Sequence, residues 1–174
     1  RWSDIEGSIM VTLLEVDEGS VREITLSRPD GSGRESLKVK IPRGVEDGQK
    51  LWVSGKGNPG PGGGPAGDLY LVISISRHPD LEIEGSGDLV HECELEPWQL
   101  VLGTKVSVPT LSGSLTLKVP ECSQPGDRLR VSGRGISKAG GGKGDLYVEL
   151  VAGFPEEIDD RERRLWQAFD PDGS

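Results

Sequence analysis

Residues 39–57 read VKIPRGVEDGQKLWVSGKG, and residues 117–135 read LKVPECSQPGDRLRVSGRG. Laid over one another without a gap, Lys40 meets Lys118, Pro42 meets Pro120 and Gly48 meets Gly126. Leu51, Val53, Ser54, Gly55 and Gly57 then fall on Leu129, Val131, Ser132, Gly133 and Gly135. After a glycine-rich stretch each copy closes on the same phrase, Gly67-Asp68-Leu69-Tyr70 and Gly144-Asp145-Leu146-Tyr147. The chain is a tandem duplication of one supersecondary unit.

The unit is built of strands and tight turns. Val39 and Ile41 alternate with lysines until Pro42, which has no N–H for a ladder and ends the strand. Gly44 to Gly48 make a turn, Leu51 and Val53 alternate as a second short strand, and Gly55 and Gly57 stop it. Leu69, Leu71, Ile73 and Ile75 place one face of a third strand in a core. The expected fold class is mainly β.

Outward from the repeat, the first unit opens with a strand over Ile9 to Leu14, a turn or single helical turn ending at Gly19, and a strand over Val21 to Leu26. Arg28 to Gly33 form a hairpin loop, and Leu37 begins the strand that enters the repeat. The second unit follows the same order: strand over Leu89 to Leu95, helical turn over Pro97 to Leu102, strand over Lys105 to Val108, hairpin over Leu111 to Ser114. In this alignment Leu115 sits where Leu37 sits, and Val108 is taken as the counterpart of Leu26. Ser76 to Asp88 read as a linker. The units span 1–77 and 78–153, and 154–174 carry a helix over Glu156 to Phe169 with Ile158, Leu165, Trp166 and Phe169 near one side.

Only 33% of the 174 residues are hydrophobic and 5% aromatic, so each unit owns a thin core, to which contact between units or with a second chain adds. The 26 glycines and 12 prolines separate alternating β-branched runs, which marks a turn-rich β protein rather than a disordered one. A net charge of −9 opposes a general nucleic-acid surface, which needs a basic stripe. Cys93 and Cys122 stand alone, so neither zinc nor a disulfide framework is expected. No apolar run approaches a membrane span and no signal peptide is visible. The chain opens Arg-Trp-Ser, so further sequence is expected upstream.

Two glycine-rich stretches, 55–67 and 133–144, invite a phosphate-binding reading. A P-loop runs into a helix, whereas each of these joins strand to strand, so both are expected to be flexible loops. His78 and His91 have no metal-ligand spacing. Glu82 with Glu84, and Glu92 with Glu94, share strand faces; as a carboxylate pair they would suit a glycan hydrolase, but a solvated face is the simpler account. No catalytic constellation assembles, and no enzyme activity, cofactor or metal is expected.

The order of elements resembles the C-terminal substrate-binding region of DnaJ-type co-chaperones over essentially the whole chain. Its marks are Asp4-Ile5, Gly19, the Pro-x-Gly-x-x-x-Gly pattern at Pro42, Gly44 and Gly48, the Gly-Asp-Leu-Tyr closures, and the His78-Pro79-Asp80-Leu81 linker leading to Gly87-Asp88-Leu89. The resemblance implies two tandem β-sandwich-like subdomains, a C-terminal dimerisation helix and a client groove on the first subdomain. Zinc-bearing relatives insert a Cys-rich module where this chain has only Arg28 to Glu35, so the zinc-free class is the one resembled. His78-Pro79-Asp80 mimics the J-domain tripeptide, but lies between β units; no J-domain is present in these residues, which alone should not stimulate an ATPase.

The family's groove positions fall on Ile5, Ile24, Leu26, Leu37 and Leu71, all apolar here. Ile24 and Leu26 alternate on one strand and so share a face. Arg22 matches a basic position that some relatives use for the acidic tail of the partner chaperone, although their neighbouring lysines are Ser20 and Val21 here. Ile158, Leu165, Trp166 and Phe169 take the dimer interface. The implied function is a cytoplasmic chaperone module that holds unfolded polypeptide for a DnaK-type partner, as a homodimer without membrane attachment. The alternative is a curved-DNA-associated DnaJ-like protein, which the acidic charge opposes.

Overall fold

The computed structural model describes residues 4–27, 33–57 and 67–172. Most of the first hairpin loop and the centre of the first glycine-rich stretch lie outside them. The fold is mainly β, with its small sheets in two groups and a short C-terminal helix.

In the first group, β1 (Ile5–Val11) pairs in parallel with β5 (Leu69–Ile75), and β4 (Lys50–Val53) flanks β5 on its other side. Between β1 and β2 lies helix α1 (Leu13–Glu18). β2 (Ser20–Ser27) and β3 (Arg34–Ile41) form an antiparallel hairpin that lies against the sheet. The first strand therefore starts and stops earlier than the apolar run from Ile9 to Leu14 suggests. Thr12 decides its end, because its hydroxyl accepts from the Glu15 N–H at 3.2 Å and the Glu15 carboxylate accepts from the Thr12 N–H at 3.2 Å. That reciprocal cap turns Leu13 and Leu14 into helix.

The second group repeats the plan with β7 (Asp88–Leu95), α2 (Pro97–Leu102), β8 (Thr104–Thr110), β9 (Gly113–Val119), β10 (Arg128–Val131) and β11 (Leu146–Ala152). It adds one strand. Residues read as linker contribute β6 (Glu82–Glu84), antiparallel to β7, and Leu81 beside it is buried. The order is β10-β11-β7-β6, against β4-β5-β1 in the first group, so β6 covers the edge that β1 leaves open among the described residues. Pairing corrects one equivalence. Ser20 faces Ile41 and Thr104 faces Val119, so Ile24 corresponds to Val108 and Leu26 to Thr110.

The closing phrases have a structural role. Asp68 and Asp145 each accept, through Oδ1, from the N–H of Gly55 and Gly133 at 2.8 Å, fastening the end of β4 or β10 to the start of β5 or β11. Asp4 and Asp88 accept in turn from the N–H groups of Asp68 and Asp145 at 2.7 and 2.8 Å. The Gly133 amide, then Arg130, holds the Asp145 carboxyl below the usual aspartate range.

The second glycine-rich stretch is not a loose loop. Ser137 and Lys143 pair across it, and it docks on α1 of the first unit. The Asp17 carboxylate is buried and accepts from the Ser137 N–H at 2.9 Å, the Ser137 hydroxyl at 3.1 Å and Lys143 Nζ at 3.1 Å. Gly44 has a φ of +75°, and a Cβ there would lie 2.4 Å from Ala139 N, so only glycine admits this approach. The two hydrophobic cores form one connected cluster.

The C-terminal helix α3 (Asp160–Gln167) is shorter than the stretch from Glu156 to Phe169. Asp159 caps it by accepting from the Glu162 N–H at 2.8 Å. Ile158 precedes the helix and Phe169 follows it in a turn.

Candidate functional site

Alternation sends Ile5, Gly7, Ile9 and Val11 of β1 inward, along with Arg22, Ile24 and Leu26 of β2 and Leu37, Val39 and Ile41 of β3. Burial is graded along this interior. Val11, Ile41 and Ile73 are sealed, and Leu37, Val39 and Leu71 are buried at 8%, 4% and 4% exposure. Ile5, Ile24 and Leu26 are only half-buried and pack against the core edge. At this end of the unit buried Leu37 and Leu71 form an apolar floor, and half-buried Ile5, Ile24 and Leu26 form its apolar lips.

Gly7 belongs to this place and carries no signal of it in an apolar pattern. It stands opposite Leu71 in the β1–β5 register, where a Cβ would lie 3.4 Å from Leu71 Cδ2. Its lack of a side chain leaves the floor uncovered between Ile5 and Ile9. At the far rim Leu26 faces Glu35, which forms an ion pair with Lys56. Arg22 is engaged within the unit: its Nη1 donates to the Glu15 carboxylate at 2.7 and 2.9 Å. Burial pushes the Glu15 carboxyl up, but the bonds from Arg22, Thr12 and Ser20 outweigh it and leave it below the usual glutamate range.

The second unit lacks this opening. The counterparts of Ile5, Ile24 and Leu71 are Leu89, Val108 and Val148, all fully buried, while Leu115, the counterpart of Leu37, is half-buried. Gly7 becomes His91, whose Nδ1 lies 2.8 Å from the Asp80 carbonyl oxygen, and Leu26 becomes Thr110, whose hydroxyl donates to the Gly113 carbonyl at 2.9 Å. Thr25 becomes Pro109, which removes an N–H from the outer edge of β8 while the β8–β9 pairing is kept.

The other sequence candidates are separate from this site. Ile158 is half-buried, and Leu165, Trp166 and Phe169 are exposed around α3, with the Trp166 and Phe169 rings 6.1 Å apart. His78 accepts at Nδ1 from the Asp80 N–H at 3.0 Å in the turn before β6. Glu84 is bound by the Arg128 guanidinium at 2.7 and 2.9 Å, which holds its carboxyl below the usual range. Glu84 thus stands in an ion pair with Arg128 on the surface. Among the described residues no helix is long and apolar enough to cross a membrane.

Residues 5–155 match the family model of the DnaJ C terminal domain. The chain is 42% identical over 185 residues to the curved DNA-binding protein of Pseudomonas syringae pv. tomato, covering 98% of this chain and 59% of that protein. It is 38% identical over 174 residues to that of Pseudomonas putida strain GB-1, covering 95% and 54%, and 40% identical over 185 residues to that of Coxiella burnetii strain Dugway 5J108-111, covering 98% and 58%. The chain thus spans little more than half the length of these relatives. A β duplication with this order of elements, matched over almost all its length, belongs to the DnaJ C terminal domain family.

Proposed function

We propose that the chain is a client-binding chaperone module in which the first unit, residues 1–77, takes an extended segment of unfolded polypeptide along β2. The observation that carries this reading is the contrast between the units. Ile5, Ile24 and Leu26 are half-open over Leu37 and Leu71, while the counterparts of Ile5, Ile24 and Leu26 in the second unit, 78–153, are Leu89 and Val108, which are sealed, and Thr110, which is polar. Backbone bonds to a free strand edge accept any sequence, and an apolar pocket beside it selects large apolar side chains. That combination holds unfolded chains and ignores folded surfaces. The held segment passes to a DnaK-type partner; the ion pair of Arg22 with Glu15 leaves it a poor anchor for that partner's acidic tail. Residues 154–174 join two copies through Ile158, Leu165, Trp166 and Phe169, the last three of which are exposed on this chain. The test is suppression, without ATP, of the aggregation of a denatured model protein, together with binding of apolar peptides. A chain that does neither removes the reading.

The names of the relatives favour a second reading, association with curved DNA. Lysines stand on the outer hairpin faces, Lys38 and Lys40 on β3 and Lys105 facing Lys118 across β8 and β9. The net charge of −9 opposes a strong contact through these residues alone. Salt-sensitive retardation of curved duplex DNA by this chain would establish the second reading, and retardation absent at low salt would exclude it for these residues.

A further inference from the structure

Charge on the acceptor strand β2 is compensated on its inner face and bare on its outer face. On the inner face Arg22 is held by Glu15, and Glu35, which faces Leu26, is paired with Lys56. The outer face of β2 presents Val21, Glu23 and Thr25, all exposed. Glu23 faces Lys38 in the β2–β3 register, and the two close no ion pair. The second unit has no carboxylate at these positions. Register sets Val21, Glu23 and Thr25 on Lys105, Ser107 and Pro109. The open unit thus carries an acid on its acceptor strand, and the closed one carries a lysine and a proline that interrupts the edge.

We infer that Glu23 selects the charge of the bound segment, favouring lysine or arginine over aspartate or glutamate at the position beside the anchor that covers Ile24. This selection rests on the client role proposed for β2 and adds to it a rule of sequence. Strand geometry carries it. A segment added to the free edge of β2 alternates its side chains. Residues facing Ile24 and Leu26 then point to the apolar floor, and the one facing Glu23 points outward, whichever way the added strand runs. Facing side chains on adjacent strands have Cβ atoms ~4.5–5.5 Å apart. Lys38 and Lys40 stand on β3, one strand further from the segment. That is ~10 Å, about a Debye length at ~0.1 M salt. Glu23 therefore outweighs the lysines of β3 in the field that the segment meets. Arg22 adds little opposing charge, because Glu15 neutralises it. A cation facing Glu23 is favourable and an anion unfavourable, so exchanging lysine for glutamate in the segment should change affinity roughly three- to tenfold.

The test titrates three labelled peptides with the whole chain, each alternating leucine with one second residue: lysine, glutamine or glutamate. Strict alternation removes any dependence on register. The proteins are the parent, Glu23→Gln, Glu23→Lys and Glu121→Lys. Glu121 is exposed in the second unit, and its replacement changes net charge as much as Glu23→Lys does. The β8–β9 hairpin already holds Lys105 against Lys118, so a lysine facing Lys38 is compatible with this fold. Circular dichroism checks each variant, and Glu23→Gln carries the test if Glu23→Lys does not fold. The parent should bind the lysine peptide roughly three- to tenfold more tightly than the glutamate peptide, with glutamine between them. That ratio should shrink in Glu23→Gln, fall below one in Glu23→Lys and stay near the parent's in Glu121→Lys. A parent that binds all three peptides alike overturns the selection and leaves the client role standing. Equal changes of ratio in Glu23→Lys and Glu121→Lys overturn it too, because the preference would then belong to the net charge. So does a Glu23→Gln variant that gains equally for all three peptides, which would make Glu23 a guard of the strand edge. If the parent binds none of the three, the client role falls and the selection falls with it.

Discussion

Replacing Asp17 by alanine removes the acceptor that fastens the second glycine-rich stretch to the first unit. The Ser137 amide, buried and 2.9 Å from Asp17 Oδ1, then has no partner, and an orphaned buried donor costs about 1–3 kcal/mol. The Ser137 hydroxyl keeps the Asp17 carbonyl at 2.8 Å, so its loss is small. Lys143 is 47% exposed, and solvent screens its pairing with Asp17 to at most ~1 kcal/mol. The sum is roughly 1–4 kcal/mol, or a fall in melting temperature of roughly 2–16 °C for a chain of this length. Asp17→Asn keeps an acceptor oxygen for the amide and loses only the charge, so it should cost less than ~1 kcal/mol. Thermal melts of the three proteins at neutral pH decide the matter. An alanine variant within ~0.5 kcal/mol of the parent would show that the joint does not rest on this carboxylate. Asparagine as damaging as alanine would move the whole effect from the amide to the charge.

Acid should act through the fastening carboxylates. Asp145, Glu15 and Glu84 are all held below their usual ranges, so their stabilisation is present above the unfolded values near 3.8 and 4.5 and is lost as pH falls through the folded ones. Melting temperature should be flat above about pH 5 and drop below it, less steeply in Asp145→Asn; a profile level down to about pH 3 would contradict this. Gly7→Val should fill the gap over Leu71 and leave the melt nearly unchanged. Losing one apolar contact of ~1.5 kcal/mol would weaken an apolar peptide about tenfold, and unchanged affinity in titration would remove Gly7 from the site.

The duplication and the alternation of Leu37–Ile41, Leu51–Val53 and Leu69–Ile75 were readable because each strand has one buried face. The resemblance then named the groove set, and the structure finds Ile5, Ile24 and Leu26 half-open around buried Leu37 and Leu71. Other features depend on partners distant in sequence. Glu82–Glu84 is too short and polar to mark itself as a strand and becomes one because β7 offers an edge. Ser137 and Lys143 look like solvent-loop residues, and the carboxylate that orders them lies 120 residues earlier. The Val108 equivalence slipped by two because hairpin length was read from turn residues, whereas register is set by Ile41 and Val119 at the other end. The Thr12–Glu15 cap was local and legible, and the apolar run through Leu14 concealed it.

The claim that the open edge of the first unit receives client segments is tested most directly by fluorescence titration of a Leu-rich peptide. The proteins to compare are the parent chain, Leu26→Ser and Thr110→Ser, the last at the position that register assigns to Leu26 in the second unit. Each variant is first shown to melt cooperatively and to keep the parent's oligomeric mass. Leu26→Ser should weaken binding about tenfold, for the loss of ~1.5 kcal/mol of apolar contact, and Thr110→Ser should leave it unchanged. Equal losses from the two, or full affinity in Leu26→Ser, would contradict the assignment of the groove to the first unit.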